Sequence, residues 1–172
     1  MSSRSGAGHT AVLGSAPAHD AKDWTVKGGK KFLVVLEKKN HLDAVTFCKK
    51  EGGKIFEPKS EAENTEITAL AKKKGAEFPI WIGIHDKTTE GHFEYESDSS
   101  KITFANWADK KPDNVESCSG GEDCVSALED GKWEDSNAEE ERHFVCEANC
   151  HEGKLLNCFK NAHRLMVIEN YY

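Results

Sequence analysis

The 172-residue sequence lacks an apolar run long enough to cross a membrane as a helix. Its longest run, residues 32–36, is far below the roughly 20 residues that a bilayer requires. Basic residues are in the minority, 23 against 30 acidic ones, and the net charge of -7 disfavours nucleic acid as a partner. The sequence also has no glycine-rich phosphate loop and no recognisable pairing of a nucleophile with a general base. We therefore expect a binding protein rather than an enzyme or a membrane-spanning chain.

Acidic residues are concentrated in one segment. Between residues 109 and 141, twelve carboxylates stand against three lysines. Such a run is usually a solvated surface. Here the acids are interleaved with cysteines, glycines and Trp133. That pattern is typical of a shaped loop that holds a hard cation such as calcium through oxygen ligands.

The even number of cysteines predicts disulfides and an oxidising compartment. The first residues lack the apolar core of a signal peptide, so either a signal has been removed or the chain is not secreted. The cysteines favour the first alternative, and we expect a secreted protein. The six cysteines are Cys48, Cys118, Cys124, Cys146, Cys150 and Cys158.

Composition divides the chain into three parts. Residues 1–22 are rich in small residues without periodicity and predict a flexible leader or a segment added for expression. Residues 23–149 have the patterning of one domain. Residues 150–172 form an extension in which the apolar run 165–168 would need a partner surface, on the domain or on another chain as an oligomer.

Hydrophobic periodicity predicts two helices followed by a strand-rich half, which is an α+β fold. Asn40 caps a helix that carries Leu42, Val45 and Cys48 on one side. Ser60 begins a capping box, and the helix after it has an apolar stripe of Ala62, Ile67, Leu70 and Ala71. The predicted strands are residues 32–36, 80–84, 93–95, 125–128, 132–133 and 143–146.

Several short motifs follow one another in a specific order. In sequence they are Cys48, Trp81-Ile82-Gly83-Ile84, Asn106-Trp107, Pro112 within Lys-Pro-Asp, Gly121-Glu122-Asp123-Cys124, Gly131-Lys132-Trp133-Glu134-Asp135 and Cys146. Together they resemble the C-type lectin domain family over about residues 30–147. The turn Thr89-Glu90-Gly91 is similar to the collectin branch. The resemblance implies a C-type lectin fold, with two helices, small antiparallel sheets and a long calcium-binding loop region.

The resemblance also implies a disulfide between Cys48 and Cys146, which would stabilise the fold by roughly 4–5 kcal/mol. The family's second disulfide is altered, because Cys124 matches one partner but Ala138 stands at the other position. Four remaining cysteines allow three pairings. Of these we favour Cys118 with Cys124 and Cys150 with Cys158.

Two calcium positions are implied by the resemblance. At the principal position Lys111 departs from the family pattern, since an ammonium offers only donors and cannot coordinate a cation. At the auxiliary position Asn114 replaces a carboxylate but keeps an amide oxygen. Surface acids without an ion are the alternative. The principal set is Lys111, Asp113, Glu122, Glu134 and Asp135, and the auxiliary set is Asp86, Glu90, Asn114, Glu122 and Asp123.

The implied function is calcium-dependent binding of glycans or glycoproteins through Lys111, Asp113, Glu122 and Glu134. Asp113 matches the galactose type of the family motif, and the ammonium of Lys111 could also favour acidic glycans. The peptide before Pro112 is expected to be cis. The alternative is a lectin-like structural or matrix protein that binds protein or mineral, with calcium at most structural. Lys111 and the missing disulfide cysteine favour this alternative.

Overall fold

The computed structural model describes residues 23–115 and 121–150. The described residues contain two helices and eight strands, so the predicted α+β class is confirmed. No helix in these two ranges is long and apolar enough to span a membrane. The predicted leader, the extension after residue 150, Cys118 and Cys158 lie outside the described residues. The elements are β1 (Thr25–Lys27), β2 (Lys30–Lys39), α1 (His41–Lys50), β3 (Lys54–Ile55), α2 (Glu61–Lys73), β4 (Ile80–His85), β5 (Glu94–Tyr95), β6 (Cys124–Ala127), β7 (Trp133–Ser136) and β8 (Arg142–Asn149).

The strands form a sheet with the order β1-β2-β8-β4-β6-β7, while β3 pairs with β8 and β5 with β4. Every pairing is antiparallel except that of β4 with β8, where Trp81 lies opposite Phe144 in a parallel bridge. This contact joins the half of the sheet that carries the first and last strands to the half that carries β6 and β7. The long loop between β5 and β6 is therefore attached to a continuous sheet.

Helix α1 begins where the sequence predicts, because the Asn40 side chain accepts a hydrogen bond from the backbone N–H of Asp43 at 2.8 Å. Its buried face differs from the prediction. Leu42 is 67% exposed, so its placement on the apolar side was wrong. The buried stripe has the i, i+3, i+4, i+7 spacing of one helix face, which leaves residue 42 about 100° away. Its members are His41, Ala44, Val45 and Cys48.

Helix α2 begins at the predicted cap, where Ser60 Oγ accepts from the backbone N–H of Glu63 at 3.3 Å. The Glu63 carboxylate returns to the N–H of Lys59 rather than to that of Ser60. Ala62 is exposed, which contradicts its placement in the apolar stripe. Asn64 takes the first position of the buried face instead, so the stripe includes a polar side chain that must find partners.

The predicted disulfide between Cys48 and Cys146 is confirmed, with an S–S distance of 1.99 Å and a Cα–Cα distance of 5.3 Å. It fastens α1 to β8 inside a core cluster that also contains Trp81 and Phe144. A second cluster lies between α2 and the sheet and includes Trp133. Both clusters are closed against solvent, so the loop near Trp133 is built on a rigid base.

Candidate cation and ligand-binding site

The long loop is fastened to the core through Trp133. Its segment around Trp107 packs on Phe93 and Trp133, with ring centroids 4.6 and 5.8 Å apart. The Trp133 indole N–H donates to the side chain of the buried Asn64 at 2.9 Å, and the Asn64 amide donates to the carbonyl of Gly131 at 2.8 Å. The sequence motifs did not identify Asn64. A polar residue within an apolar helical stripe was the available signal.

The turn around Pro112 is held by a single buried carboxylate. Asp135 Oδ2 accepts from the backbone N–H groups of Asp113 at 2.9 Å and Asn114 at 2.5 Å, and Asp135 is 2% exposed. The peptide between Lys111 and Pro112 is cis, as the resemblance implied. Strand β7 thus sets the position of the two residues that follow the proline.

Three acidic side chains converge at this turn. Asp113, Glu122 and Asp135 each place a carboxylate oxygen within 4.8 Å of the others, and in residues 23–115 and 121–150 this is the group suited to hold a metal ion. Asp113 is exposed, Glu122 is half-buried and Asp135 is buried. Three of the five residues predicted for the principal position are therefore brought together.

Lys111, the fourth residue of that set, lies within the same cluster. Its Nζ donates to Asp113 Oδ1 at 2.5 Å and to Glu122 Oε2 at 3.2 Å, and it forms an ion pair with Asp135 Oδ1 at 3.2 Å. Burial lowers the pKa of Lys111, but the surrounding carboxylates outweigh burial and raise the pKa above its ordinary value. The ammonium is charged and lies between the carboxylates that would hold the principal calcium ion. With it there, the position does not fit a divalent cation.

Glu134, the fifth residue, does not join the cluster. Its Oε1 accepts from Ser126 Oγ at 3.3 Å and lies 3.8 Å from the guanidinium of Arg142. Successive side chains of a strand point to opposite faces, so Glu134 and Asp135 diverge. The Arg142 guanidinium in turn lies 5.0 Å above the Trp81 ring. Glu134 is thereby directed towards the sheet and away from the turn.

The auxiliary set centres on Asp86, which is 3% exposed. Its Oδ2 accepts from the backbone N–H of Gly91 at 2.8 Å, whereas its buried Oδ1 has no hydrogen-bond partner. Burial raises the pKa of Asp86, the Gly91 hydrogen bond lowers it, and the negative charges of Glu90 and Asp123 raise it further. A buried carboxylate oxygen without a partner beside further carboxylates is an arrangement that a cation would stabilise.

Gly121 lies against two residues of this auxiliary set. A Cβ atom on Gly121 would lie 3.0 Å from Asn114 Oδ1 and 3.4 Å from Asp123 Oδ1, so the absence of a side chain lets the backbone approach both oxygens closely. The backbone N–H of Glu122 donates to Asn114 Oδ1 at 3.2 Å and fixes its orientation. Carboxylate and amide oxygens are ligands that calcium prefers, but in residues 23–115 and 121–150 the auxiliary acids are not a group whose ligand atoms all lie within 4.8 Å of one another.

Comparison with known proteins identifies the family. The model of the C-type lectin domain matches residues 37–148, which is more than half of the chain. This chain belongs to the C-type lectin domain family. Members of the family are typically calcium-dependent and generally act as non-enzymatic binding modules.

Collectins are among the relatives of this C-type lectin domain. Collectin-10 of Mus musculus is 34% identical over 118 residues, which are 69% of this chain and 41% of that protein. Collectin-11 of Danio rerio is 36% identical over 118 residues, 69% of this chain and 42% of that protein. The chain thus spans about two fifths of the length of these curated relatives.

Two solved structures show how far the fold likeness extends. The carbohydrate-recognition domain of mouse scavenger receptor C-type lectin matches with a TM-score of 0.68 and 29% identity, over 80% of this chain and 100% of that one. Herring type II antifreeze protein matches with a TM-score of 0.64 and 22% identity, over 76% and 99%. The second likeness concerns the fold alone.

The structure places Cys124 and Ala138 in the same part of the core. Cys124 is a buried thiol in the cluster against which Ala138 packs, and burial raises its pKa to about 12. Its predicted partner Cys118 lies outside the described residues, as does Cys158, so both predicted pairings stay predictions. Cys150 lies at the end of β8, where its backbone N–H donates to the carbonyl of Gly29 at 3.1 Å.

Proposed function

We propose that this C-type lectin domain is a secreted glycan-binding module and that its ligand contacts the turn around Pro112. The observation that carries the proposal is the convergence of Asp113, Glu122 and Asp135 in a chain that resembles a carbohydrate-recognition domain over 80% of its length. The disulfide in the core and a pig relative named pulmonary surfactant-associated protein D, 36% identical over 122 residues, support secretion.

Sugar hydroxyls would donate hydrogen bonds to the carboxylates of the cluster. Each carboxylate has two acceptor oxygens, and Lys111 engages one oxygen of Asp113 and one of Glu122. The other oxygens remain able to accept, and the Asp113 side chain is 43% exposed. Hydrogen bonds to charged groups are stronger than neutral ones, so carboxylate acceptors would give a hydroxyl-rich ligand both affinity and orientation.

The charge of the cluster favours neutral galactose-type glycans over acidic ones. Three carboxylates surround one ammonium, which leaves an excess of negative charge at the turn. A sulfate or carboxylate on a glycan would meet an ammonium whose charge is already balanced and would be repelled by Asp113 and Glu122. Asp113 after Pro112 is also the residue that the galactose type of the motif carries.

Calcium would act at the auxiliary position in this proposal. The buried Asp86 oxygen that has no hydrogen-bond partner supports its presence there. When bound, the ion would supply positive charge and oxygen coordination that tie the start of the loop to its end. The loop that presents Asp113 would then be rigid, and glycan binding would depend on calcium indirectly. The residues that would hold the ion are Asp86, Glu90, Asn114, Glu122 and Asp123.

A glycan array tests this function. The purified chain would be applied in millimolar calcium and in EDTA, together with Asp113→Asn and, as a matched control, Asp109→Asn on the exposed part of the same loop. We expect galactose-type glycans to bind in calcium and binding to fall in EDTA. The affinity of Asp113→Asn for these glycans should be lower by about tenfold or more, whereas Asp109→Asn should bind like the wild type. Binding that Asp113→Asn leaves intact would place the ligand elsewhere.

A lectin-like domain that binds protein or mineral instead of sugar is the second candidate. The ion pairs that occupy Lys111 favour it, because they take the place of the cation through which a sugar could be held. Failure of the wild-type chain to bind any glycan in either buffer would support this candidate. Light scattering of the same sample would show whether the chain forms an oligomer, which is one of the alternatives that its apolar extension leaves open.

A further inference from the structure

The ammonium of Lys111 is the centre of charge at the turn around Pro112. Its Nζ lies 2.5 Å from Asp113, 3.2 Å from Glu122 and 3.2 Å from Asp135. The lysine side chain is only 21% exposed, so it lies against the turn rather than extending into solvent. An ammonium carries three N–H donors, which match a cluster of three carboxylates in number. Its single positive charge does not balance the three negative charges of the cluster.

Those carboxylates are the same three that come within 4.8 Å of one another and could hold a metal ion. A calcium ion there would need most of their oxygens, because calcium takes six to eight oxygen ligands. It would also lie within a few ångströms of the ammonium, where two positive charges repel each other strongly. Lysine and calcium therefore compete for one position.

Asp135 shows what the ammonium contributes to the loop. This carboxylate is 2% exposed, and its Oδ2 accepts from the backbone N–H groups of Asp113 and Asn114. A buried charge is costly unless it is paired, and Lys111 supplies the opposite charge on the Oδ1 side. The lysine thus stabilises the carboxylate that shapes the turn. A bound metal ion would stabilise the same carboxylate in the same way.

We propose that the Lys111 ammonium replaces the principal calcium ion as the resident cation of the turn. The turn keeps its shape without metal at this position, and calcium enters it only when Lys111 is replaced by a residue with an oxygen ligand. This inference goes beyond the proposed function, because it concerns which cation holds the turn and stands whether or not a glycan binds.

Calcium titration of two variants tests the inference. Lys111→Gln exchanges the ammonium for an amide oxygen, and Lys110→Gln makes the same change of charge at the neighbouring exposed lysine. Isothermal titration calorimetry would count the ions bound to each folded chain. We expect Lys111→Gln to bind one calcium ion more than the wild-type chain, with a dissociation constant of about 0.1–1 mM as in extracellular modules. Lys110→Gln should match the wild type.

Thermal unfolding in EDTA and in calcium gives a second reading. Lys111→Gln should unfold at a lower temperature than the wild type in EDTA, because three carboxylates then face one another without a cation. Calcium should raise the unfolding temperature of this variant again. Lys111→Arg, which keeps the charge, should gain no ion. A variant that folds only in calcium supports the inference, and one that stays unfolded in calcium overturns it.

The inference is overturned if the wild type and Lys111→Gln bind the same number of ions. The number of ions on the wild-type chain reports separately on the auxiliary position. A wild-type chain that binds none, with a variant that binds one, would contradict the calcium part of the proposed function and leave the inference supported. The glycan array does not enter this test.

Discussion

Replacement of Asp135 by alanine should destabilise the whole domain, although the residue belongs to a loop-facing cluster. Asp135 is on β7, is 2% exposed, and accepts hydrogen bonds from the backbone N–H groups of Asp113 and Asn114 at 2.9 and 2.5 Å. It also pairs with Lys111 at 3.2 Å. Truncation to alanine removes all three interactions and leaves a gap at the root of the turn.

The expected loss follows from these contacts. A hydrogen bond to a charged group contributes roughly 1.5–3 kcal/mol, and two are lost. The N–H of Asp113 recovers part of this from water because Asp113 is exposed, and Lys111 retains two other carboxylates, so the ion pair adds little. The free energy of unfolding should therefore fall by about 2–4 kcal/mol. A loss of this size corresponds to roughly 8–16 °C in melting temperature for a domain of this length.

Urea denaturation in EDTA, followed by tryptophan fluorescence with the disulfide intact, measures the change. The midpoint for Asp135→Ala should fall by about 1–2 M. Glu129→Ala is the matched control, because Glu129 pairs with Lys72 at 2.5 Å while both side chains are more than half exposed. That pair should contribute less than about 1 kcal/mol. Equal losses in the two variants would refute the structural role assigned to Asp135.

Three further predictions concern the core. Changing Cys48 and Cys146 together to serine removes a disulfide between residues 98 positions apart and should lower the free energy of unfolding by about 4–5 kcal/mol. Urea denaturation measures this change, and a loss below about 1 kcal/mol would contradict the prediction. Ala138→Cys should form a disulfide with Cys124 and add up to about 3 kcal/mol to the free energy of unfolding. Peptide mass spectrometry would detect the bond, and peptides carrying residues 124 and 138 that are not linked to each other would exclude it. Burial lowers the pKa of His41 to about 4, below its value in the unfolded chain. The unfolded chain therefore binds more protons, and the free energy of unfolding should fall by about 3 kcal/mol as the pH drops from 6.5 to 4. His41→Gln should remove this part of the pH dependence, measured by urea unfolding.

Much of the fold could be predicted from the sequence, because apolar periodicity reflects burial directly. Both helices begin at their predicted caps, and the predicted strand at residues 80–84 is entirely buried. Errors arose where a single residue lay next to a helical stripe. Leu42 and Ala62 are apolar but exposed, while His41 and Asn64 occupy the buried faces because each finds a hydrogen-bond partner in the core.

The site was less predictable, because its geometry depends on pairs of side chains that are distant in sequence. Motif order identified Asp113, Glu122 and Asp135, which the structure brings together. It could not show that Lys111 folds back onto them or that Glu134 is drawn towards Arg142, since both outcomes depend on tertiary contacts between separate segments. Residue types identify candidate ligands, whereas competition among charges decides which of them meet.

The pairing of β2 with β8 determines how the domain would carry a mechanical load. Lys30 lies opposite Asn149, so the start of β2 and the end of β8 are neighbours about 5 Å apart, and β1 pairs with the outer side of β2. Tension applied at residues 23 and 150 would detach β1 from β2 and then peel β2 from β8 one hydrogen bond at a time. On β8 the peeling front would stop where Cys146 is bonded to Cys48. The turn around Pro112 is outside this path, so a pull that frays the edge of the sheet would leave the ligand face undisturbed.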